Sequence, residues 1–279
     1  ARRRAGVTGR SCRWDVLAVV DLTSVAGYRA ATCRADLALA PGEVFLGGGT
    51  WLYSEPQPEV TGLVDLTAMG WAPLEPLPGG GLRVGATCTI AELAAARPFF
   101  LQCATALLAS VKVWRMATVG GNICRSFAAA AMVSLAVTLD GVAEIWTPDG
   151  GSYRIRVAEM ITGNGTNTLR PGEVLRAVDL PGAALAGRTA FRQIALATLG
   201  RSGAVVTGRA DPDGALTLVI TAATLRPVVL RYPGHPSADQ LAADVAAVDA
   251  YYTDPLGPAH WRPQVSGVLL EEIRQELRR

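Results

Sequence analysis

Two glycine-rich stretches set what this chain can fold into: Leu46-Gly47-Gly48-Gly49-Thr50 and Thr118-Val119-Gly120-Gly121-Asn122. Each follows an apolar run, and each carries a threonine beside its glycines. Glycine allows a sharp turn and a close approach with no Cβ in the way. Successive bare N–H groups can then converge on one anion. One such loop means little. Two in one chain point to a ligand with two phosphates, or to a phosphate held from two sides.

Known phosphate loops narrow the choice. The P-loop needs G-x-x-x-x-G-K-[ST], and neither stretch fits it; Lys112 is the only lysine in the chain. The Rossmann fingerprint needs G-x-G-x-x-G opening a helix, with an acidic residue about 20 positions on. Gly47-Gly48-Gly49 followed by Trp51 and Leu52 does not match it. What remains is a loop that grips phosphate through backbone N–H groups and a threonine hydroxyl. The first loop taken alone is equally well read as a tight turn after a strand.

Composition removes other classes of function. Hydrophobic residues make up 50% of the 279 and charged residues 18%, which describes a globular chain. A net charge of +2 argues against a nucleic-acid partner, which calls for a basic stripe. The five cysteines are widely spaced and form no C-x-x-C pair. The chain therefore offers no zinc site or iron–sulfur cradle, and free thiols in a reducing cytoplasm are the simplest reading. His235 and His260 lie in proline-bounded segments and read as surface or capping residues, so metal or triad chemistry built on histidine is not expected. Residues 1–12 read as a flexible extension, and no apolar run reaches the length of a membrane span.

Local patterns predict a helix from Thr23 or Ser24 to Leu39, then strands at 44–46, 63–66 and 82–85. Thr89-Ile90-Ala91-Glu92 is a capping box opening a helix that ends near Pro98. Apolar helices are expected over 104–113 and 128–139, on either side of the second glycine loop. A hairpin at 142–157, a turn-rich loop at 162–172 and a strand at 174–180 follow. Residues 181–187 read as a linker. Beyond it, strands at 189–195, 203–210 and 215–224 predict a three-stranded antiparallel sheet. A helix opened by Ser237 and a final helix with Val265, Leu269, Ile273 and Leu277 on one face would back that sheet.

The two loops and their flanks together resemble a known family. Leu46–Thr50 is similar to its A-G-G-T loop, and Val64-Asp65-Leu66 to its L-I-D-L strand. The stretch from Leu82 to Leu93 resembles L-R-I-G-A-x-T-T-x-A-E-L, and Ala117–Cys124 resembles G-T-I-G-G-N-L-C. These are marks of the FAD-binding (medium) subunit of molybdenum hydroxylases, as in carbon monoxide dehydrogenase and the flavin domain of xanthine dehydrogenase. The resemblance implies an α+β fold: a two-lobed, PCMH-type FAD-binding domain over 13–182, with lobes of about 13–70 and 71–182, and a small C-terminal domain over 187–279. It implies that Leu46, Gly47, Gly48, Gly49, Thr50 and Trp51 of the first loop, and Thr118, Gly120 and Gly121 of the second, contact FAD, chiefly its pyrophosphate. Asn122 would orient the second loop, Ser126 would sit near the cofactor, Leu169 would lie against the isoalloxazine ring, and Arg192 would fall near the flavin.

The resemblance further implies partner subunits. A large molybdopterin subunit would oxidise substrate, a small [2Fe–2S] subunit would carry electrons, and FAD would pass them to NAD, oxygen or a quinone. The assembly would be a heterotrimer in the cytoplasm. A free-standing flavoenzyme and a structural subunit without FAD are the alternatives. Two departures bear on the latter. Trp51 stands where the family often has Asp. The family's A-S-P-A-A-D reads Arg125-Ser126-Phe127-Ala128-Ala129-Ala130 here, so Ala130 replaces a carboxylate that bonds the cofactor. Losing one such hydrogen bond costs roughly 0.5–1.5 kcal/mol.

Overall fold

The computed structural model describes residues 22–107, 110–197 and 200–278; the expected extension at 1–12 lies outside them. Strands β1 (Gly27–Ala30), β2 (Glu43–Leu46) and β3 (Gly62–Asp65) form a parallel sheet in the order β1-β3-β2. The helix expected from Thr23 to Leu39 does not form. β1 and a 3-10 turn at Arg34–Leu37 take its place. The Asp36 carboxylate accepts the amides of Thr32 and Cys33 at 2.8 and 3.0 Å, which ties the chain into a turn in place of a helix.

A second sheet is antiparallel throughout. It is built from β4 (Leu74–Leu77), β5 (Gly81–Gly85), β6 (Val142–Trp146), β7 (Ser152–Arg156) and β10 (Val174–Leu180), in the order β4-β5-β10-β6-β7. Between β5 and β6 run α1 (Ile90–Ala96), α2 (Pro98–Thr105), α3 (Val111–Met116), α4 (Val119–Arg125) and α5 (Ala131–Thr138). The Thr89–Glu92 capping box forms as expected. The single helix predicted over 104–113 is instead split. Pro98 starts α2 at a position where its missing N–H costs nothing, and Ser110 caps α3. After β7 come α6 (Val157–Met160) and a small hairpin of β8 (Ile161–Gly163) and β9 (Thr166–Asn167).

Residues 181–187 are not an open linker. They contain α7 (Gly182–Ala186), and Arg97 Nη1 donates to the Leu185 carbonyl at 3.1 Å. The C-terminal sheet has four strands, not the three expected: β11 (Arg188–Ala195), β12 (Ser202–Ala210), β13 (Leu216–Thr221) and β14 (Val228–Tyr232), antiparallel in chain order. Ala222 adopts φ +61° and ends β13 at Thr221, so the chain turns and returns as β14. Helices α8 (Ala238–Ala246) and α9 (Arg262–Arg278) back the sheet. The buried stripe of α9 is Ser266, Leu270, Ile273 and Leu277, rotated from the expected one; Val265 and Leu269 are only partly buried.

Every residue of α5 is buried, and this helix packs on α2, α4 and α6 on one side and on β12 and β13 of the C-terminal sheet on the other. Its two hydroxyls meet hydroxyls across the seam: Ser134 Oγ lies 2.6 Å from Thr221 Oγ1, and Thr138 Oγ1 bonds Thr207 Oγ1. Arg209, 4% exposed, donates to the Thr138 carbonyl at 2.6 Å and to Asp140 and Asp211 at 2.7 Å. No described helix is long and apolar enough to cross a membrane.

Candidate functional site

β2 runs into the first glycine loop, with Leu46 buried against Val60 and Leu63 as its anchor. α3 ends at Met116, and Thr118 then opens α4, so the second loop is the first turn of a helix. The loops touch backbone to backbone. A Cβ on Gly47 would lie 2.7 Å from Thr118 Oγ1, and one on Gly48 would lie 1.5 Å from the Met116 carbonyl oxygen. Any side chain at Gly48 would force the loops apart. Gly120 has a different neighbour: its Cβ would fall 2.6 Å from Ala86 Cβ, so it lets α4 sit on the end of β5.

The donors of the two loops are not equivalent. In the second loop Val119 N–H donates to the Cys88 carbonyl at 2.8 Å and Gly120 N–H to the Ala86 carbonyl at 2.8 Å. Gly121 N–H donates to Thr118 Oγ1 at 3.1 Å, and Asn122 N–H to the Thr118 carbonyl at 3.0 Å. All four amides are taken. In the first loop the amides of Gly47, Gly48, Gly49, Thr50 and Trp51 have no protein acceptor among the described residues. Thr118 Oγ1 accepts from Gly121 and keeps its own hydrogen to donate.

Between the parallel sheet and the antiparallel one lies a cleft of about 220 Å³. Phe45, Gly47 and Leu66 line one wall, and Ala86, Thr118, Gly120, Gly121 and Cys124 line the other. Leu169 and the run from Glu173 to Leu175 close it. Five residues expected at the site thus share one cavity: Gly47, Thr118, Gly120, Gly121 and Leu169. Glu173, which no sequence pattern singled out, is a buried carboxylate of this wall; it accepts from Tyr153 Oη at 2.9 Å and from the Arg170 amide at 2.8 Å. Burial pushes the Cys124 thiol up to about 12, so it stays protonated near neutrality.

A family model described as the FAD binding domain in molybdopterin dehydrogenase matches residues 28–183, more than half of the 279.

The chain belongs to this FAD-binding family.

Solved structures agree on the fold. Quinoline 2-oxidoreductase from Pseudomonas putida 86 is similar with a TM-score of 0.76 at 19% identity, over 90% of this chain and 96% of that one. A reconstituted CO dehydrogenase from Oligotropha carboxidovorans gives 0.77 at 19%, over 92% and 98%. A carbon monoxide dehydrogenase from Hydrogenophaga pseudoflava that lacks the Mo-pyranopterin moiety of its molybdenum cofactor gives 0.75 at 15%, over 90% and 96%. No curated protein sequence matches the chain.

Within this FAD-binding fold the other expected residues hold different posts. Asn122 Oδ1 accepts the Met132 amide at 2.9 Å and so fixes α4 to α5. Ser126 is fully buried at φ +55° and ends α4; its hydroxyl donates to the Ile123 carbonyl at 2.9 Å and accepts from Asn167 Nδ2 at 2.9 Å. Trp51 turns its ring toward Phe127. Arg192 lies on β11, paired with Glu272 at 3.0 Å and Glu276 at 2.6 Å on α9. Ala130, where the family has its carboxylate, is buried among apolar neighbours before α5.

Proposed function

We propose that this chain is the flavin-bearing electron-transfer subunit of a multi-subunit molybdenum hydroxylase. One observation carries the reading: five adjacent amides, Gly47 to Trp51, have no acceptor among the described residues, and the row starts at Gly47 in the wall of an apolar cleft that Thr118 also lines. Backbone amides left without partners are costly unless water or a ligand takes them. A diphosphate with an aromatic ring at one end fits that donor set and that lining. When bound, FAD supplies the redox chemistry, and the protein supplies binding and orientation.

The first loop and Thr118 would hold the pyrophosphate. Gly120 and Gly121 shape the wall without spending amides on the ligand. Phe45, Leu66 and Leu169, which line the cleft, would exclude water from the ring, and Asn122 keeps the second loop seated through α5. No acid or base is assigned to the chain, because electron transfer through a flavin requires none from it. Residues 13–182 form the flavin-binding part and 187–279 the C-terminal part in this reading. Electrons would arrive from a small [2Fe–2S] subunit served by a large molybdopterin subunit, and would leave to NAD, oxygen or a quinone in the cytoplasm. The absence of a cluster-binding cysteine pattern in the sequence supports the need for such partners.

The visible spectrum of the purified full chain, before and after added FAD, tests the reading. Flavin absorbance that survives desalting is expected. A colourless chain that takes up no added FAD sinks it. Purification from the native source separates a subunit from a free-standing flavoenzyme, since only the former brings molybdopterin and iron–sulfur subunits with it.

A further inference from the structure

Where the first loop meets the end of α4, aromatic rings and cations gather. The Arg125 guanidinium carbon lies 4.6 Å from the Trp51 ring centre and 4.5 Å from the Phe127 ring centre. The two rings meet edge to face at 4.7 Å. A second cation, Arg201, stands 5.9 Å from the Phe127 ring. Arg125 Nε is buried, and among the described residues it has no hydrogen-bond partner and no carboxylate pairs with either arginine. A guanidinium held against aromatic rings gains cation–π attraction without spending its N–H donors, which stay available to an anion.

The position of the cluster gives it meaning. Trp51 is the last member of the unpaired amide row, and its side chain carries the ring that meets the guanidinium. Trp51, Arg125 and Phe127 are also three of the places where the chain departs from the sequence pattern it resembles. These departures are one contact, not scattered drift.

We propose that Arg125, held by Trp51 and Phe127 and seconded by Arg201, is the charged end of the phosphate grip, and that its ligand is the diphosphate of a nucleotide. The site extends the amide row with a fixed positive charge, which backbone N–H groups alone do not provide. Two sources carry this chemistry: the ADP half of FAD, or a free nucleotide. In the first case the inference rests on the flavin reading above; in the second it does not.

The test titrates FAD, riboflavin and ADP into the flavin-stripped full chain, wild type and Arg125→Gln, and ADP into the FAD-loaded wild type. FAD and ADP should bind Arg125→Gln about tenfold more weakly, the size of one charge-assisted contact, while riboflavin, which has no phosphate, is unaffected. Exclusion of ADP by bound FAD assigns the site to the flavin's own diphosphate. Undiminished ADP binding to the FAD-loaded chain assigns it to a free nucleotide. Equal FAD and ADP affinities in wild type and Arg125→Gln overturn the inference and leave the flavin reading standing. ADP binding through Arg125 in a chain that takes no FAD does the reverse, and a wild type that binds neither ends both. If Arg125→Gln fails to fold by circular dichroism, Arg125→Lys decides: it keeps the charge and loses the fork of N–H donors, so a smaller loss is expected and no loss overturns the inference.

Discussion

The Cα of Gly48 sits so close to Met116 that a methyl group added there would lie 1.5 Å from the Met116 carbonyl oxygen. Gly48→Ala should therefore push the two glycine loops apart. Overpacking of this kind costs about 1–3 kcal/mol. A lowered thermal midpoint together with lost flavin occupancy is expected. A variant with wild-type values in both would mean the loops do not need contact.

Gly120→Val acts through another neighbour. Its side chain meets Ala86, at 2.6 Å from Cβ and 2.7 Å from the carbonyl oxygen. We expect this variant to lose flavin because α4 can no longer seat on β5. Near-ultraviolet circular dichroism should change along with cofactor content. Flavin loss with an unchanged spectrum would point to a direct clash with the ligand instead.

Thr118 has two tasks, capping α4 and offering a hydroxyl hydrogen to the cleft. Thr118→Ala should cost about 1 kcal/mol of stability through the lost cap and weaken FAD binding as well. Thr118→Ser should restore both. Urea unfolding and flavin titration on the two variants check this.

The buried hydroxyl pair Ser134–Thr221 lies on the seam between α5 and the C-terminal sheet. Thr221→Val leaves the buried Ser134 hydroxyl with only its long 3.5 Å bond to the Ala130 carbonyl, at a cost of about 1–3 kcal/mol. Adding Ser134→Ala should recover much of that loss, because both ends of the bond are then gone. A double-mutant cycle by chemical denaturation measures the coupling, and strict additivity would show that the pair contributes nothing specific.

Hydrogen bonds from Arg29, and then from the Ala40 amide, hold the Glu43 carboxyl at about 2, against 4.5 for an ordinary glutamate. A lowered folded-state value means the stabilisation is complete above about pH 4.5 and is lost as pH falls toward 2. Glu43→Gln should flatten the stability profile across that window and leave it parallel to wild type above it. Urea midpoints between pH 2.5 and 6, an interval set by these values, check the slope. An unchanged acid slope in the variant would rule Glu43 out as its source.

Part of the candidate site and of the fold was legible because it is local: five expected residues, Gly47, Thr118, Gly120, Gly121 and Leu169, line the cleft. The glycine loops, the Thr89 capping box and the hairpin from Val142 onward are written in adjacent residues. β1 was not: it is parallel to β3, and a non-local partner leaves no mark on the residues around Gly27. The end of β13 was hidden for another reason. It depends on Ala222 adopting a left-handed backbone, which alanine rarely does and no composition rule anticipates. Which loop keeps its amides free was equally invisible, since the acceptors for Val119 and Gly120 come from Cys88 and Ala86, some thirty residues earlier. Arg125 could have been noticed as a cation beside a glycine loop, but only the fold brings Trp51 to it.

The unequal loops also divide the molecule in time. The second is fully hydrogen-bonded before any ligand arrives, so its amides should resist exchange with deuterated solvent in the empty protein. The five amides from Gly47 to Trp51 have no protein acceptor among the described residues to slow their exchange until something anionic takes them. Their exchange rates are therefore a clock for occupancy: fast when the cleft is empty, slow when it is filled, with residues 119–122 as the unmoving reference.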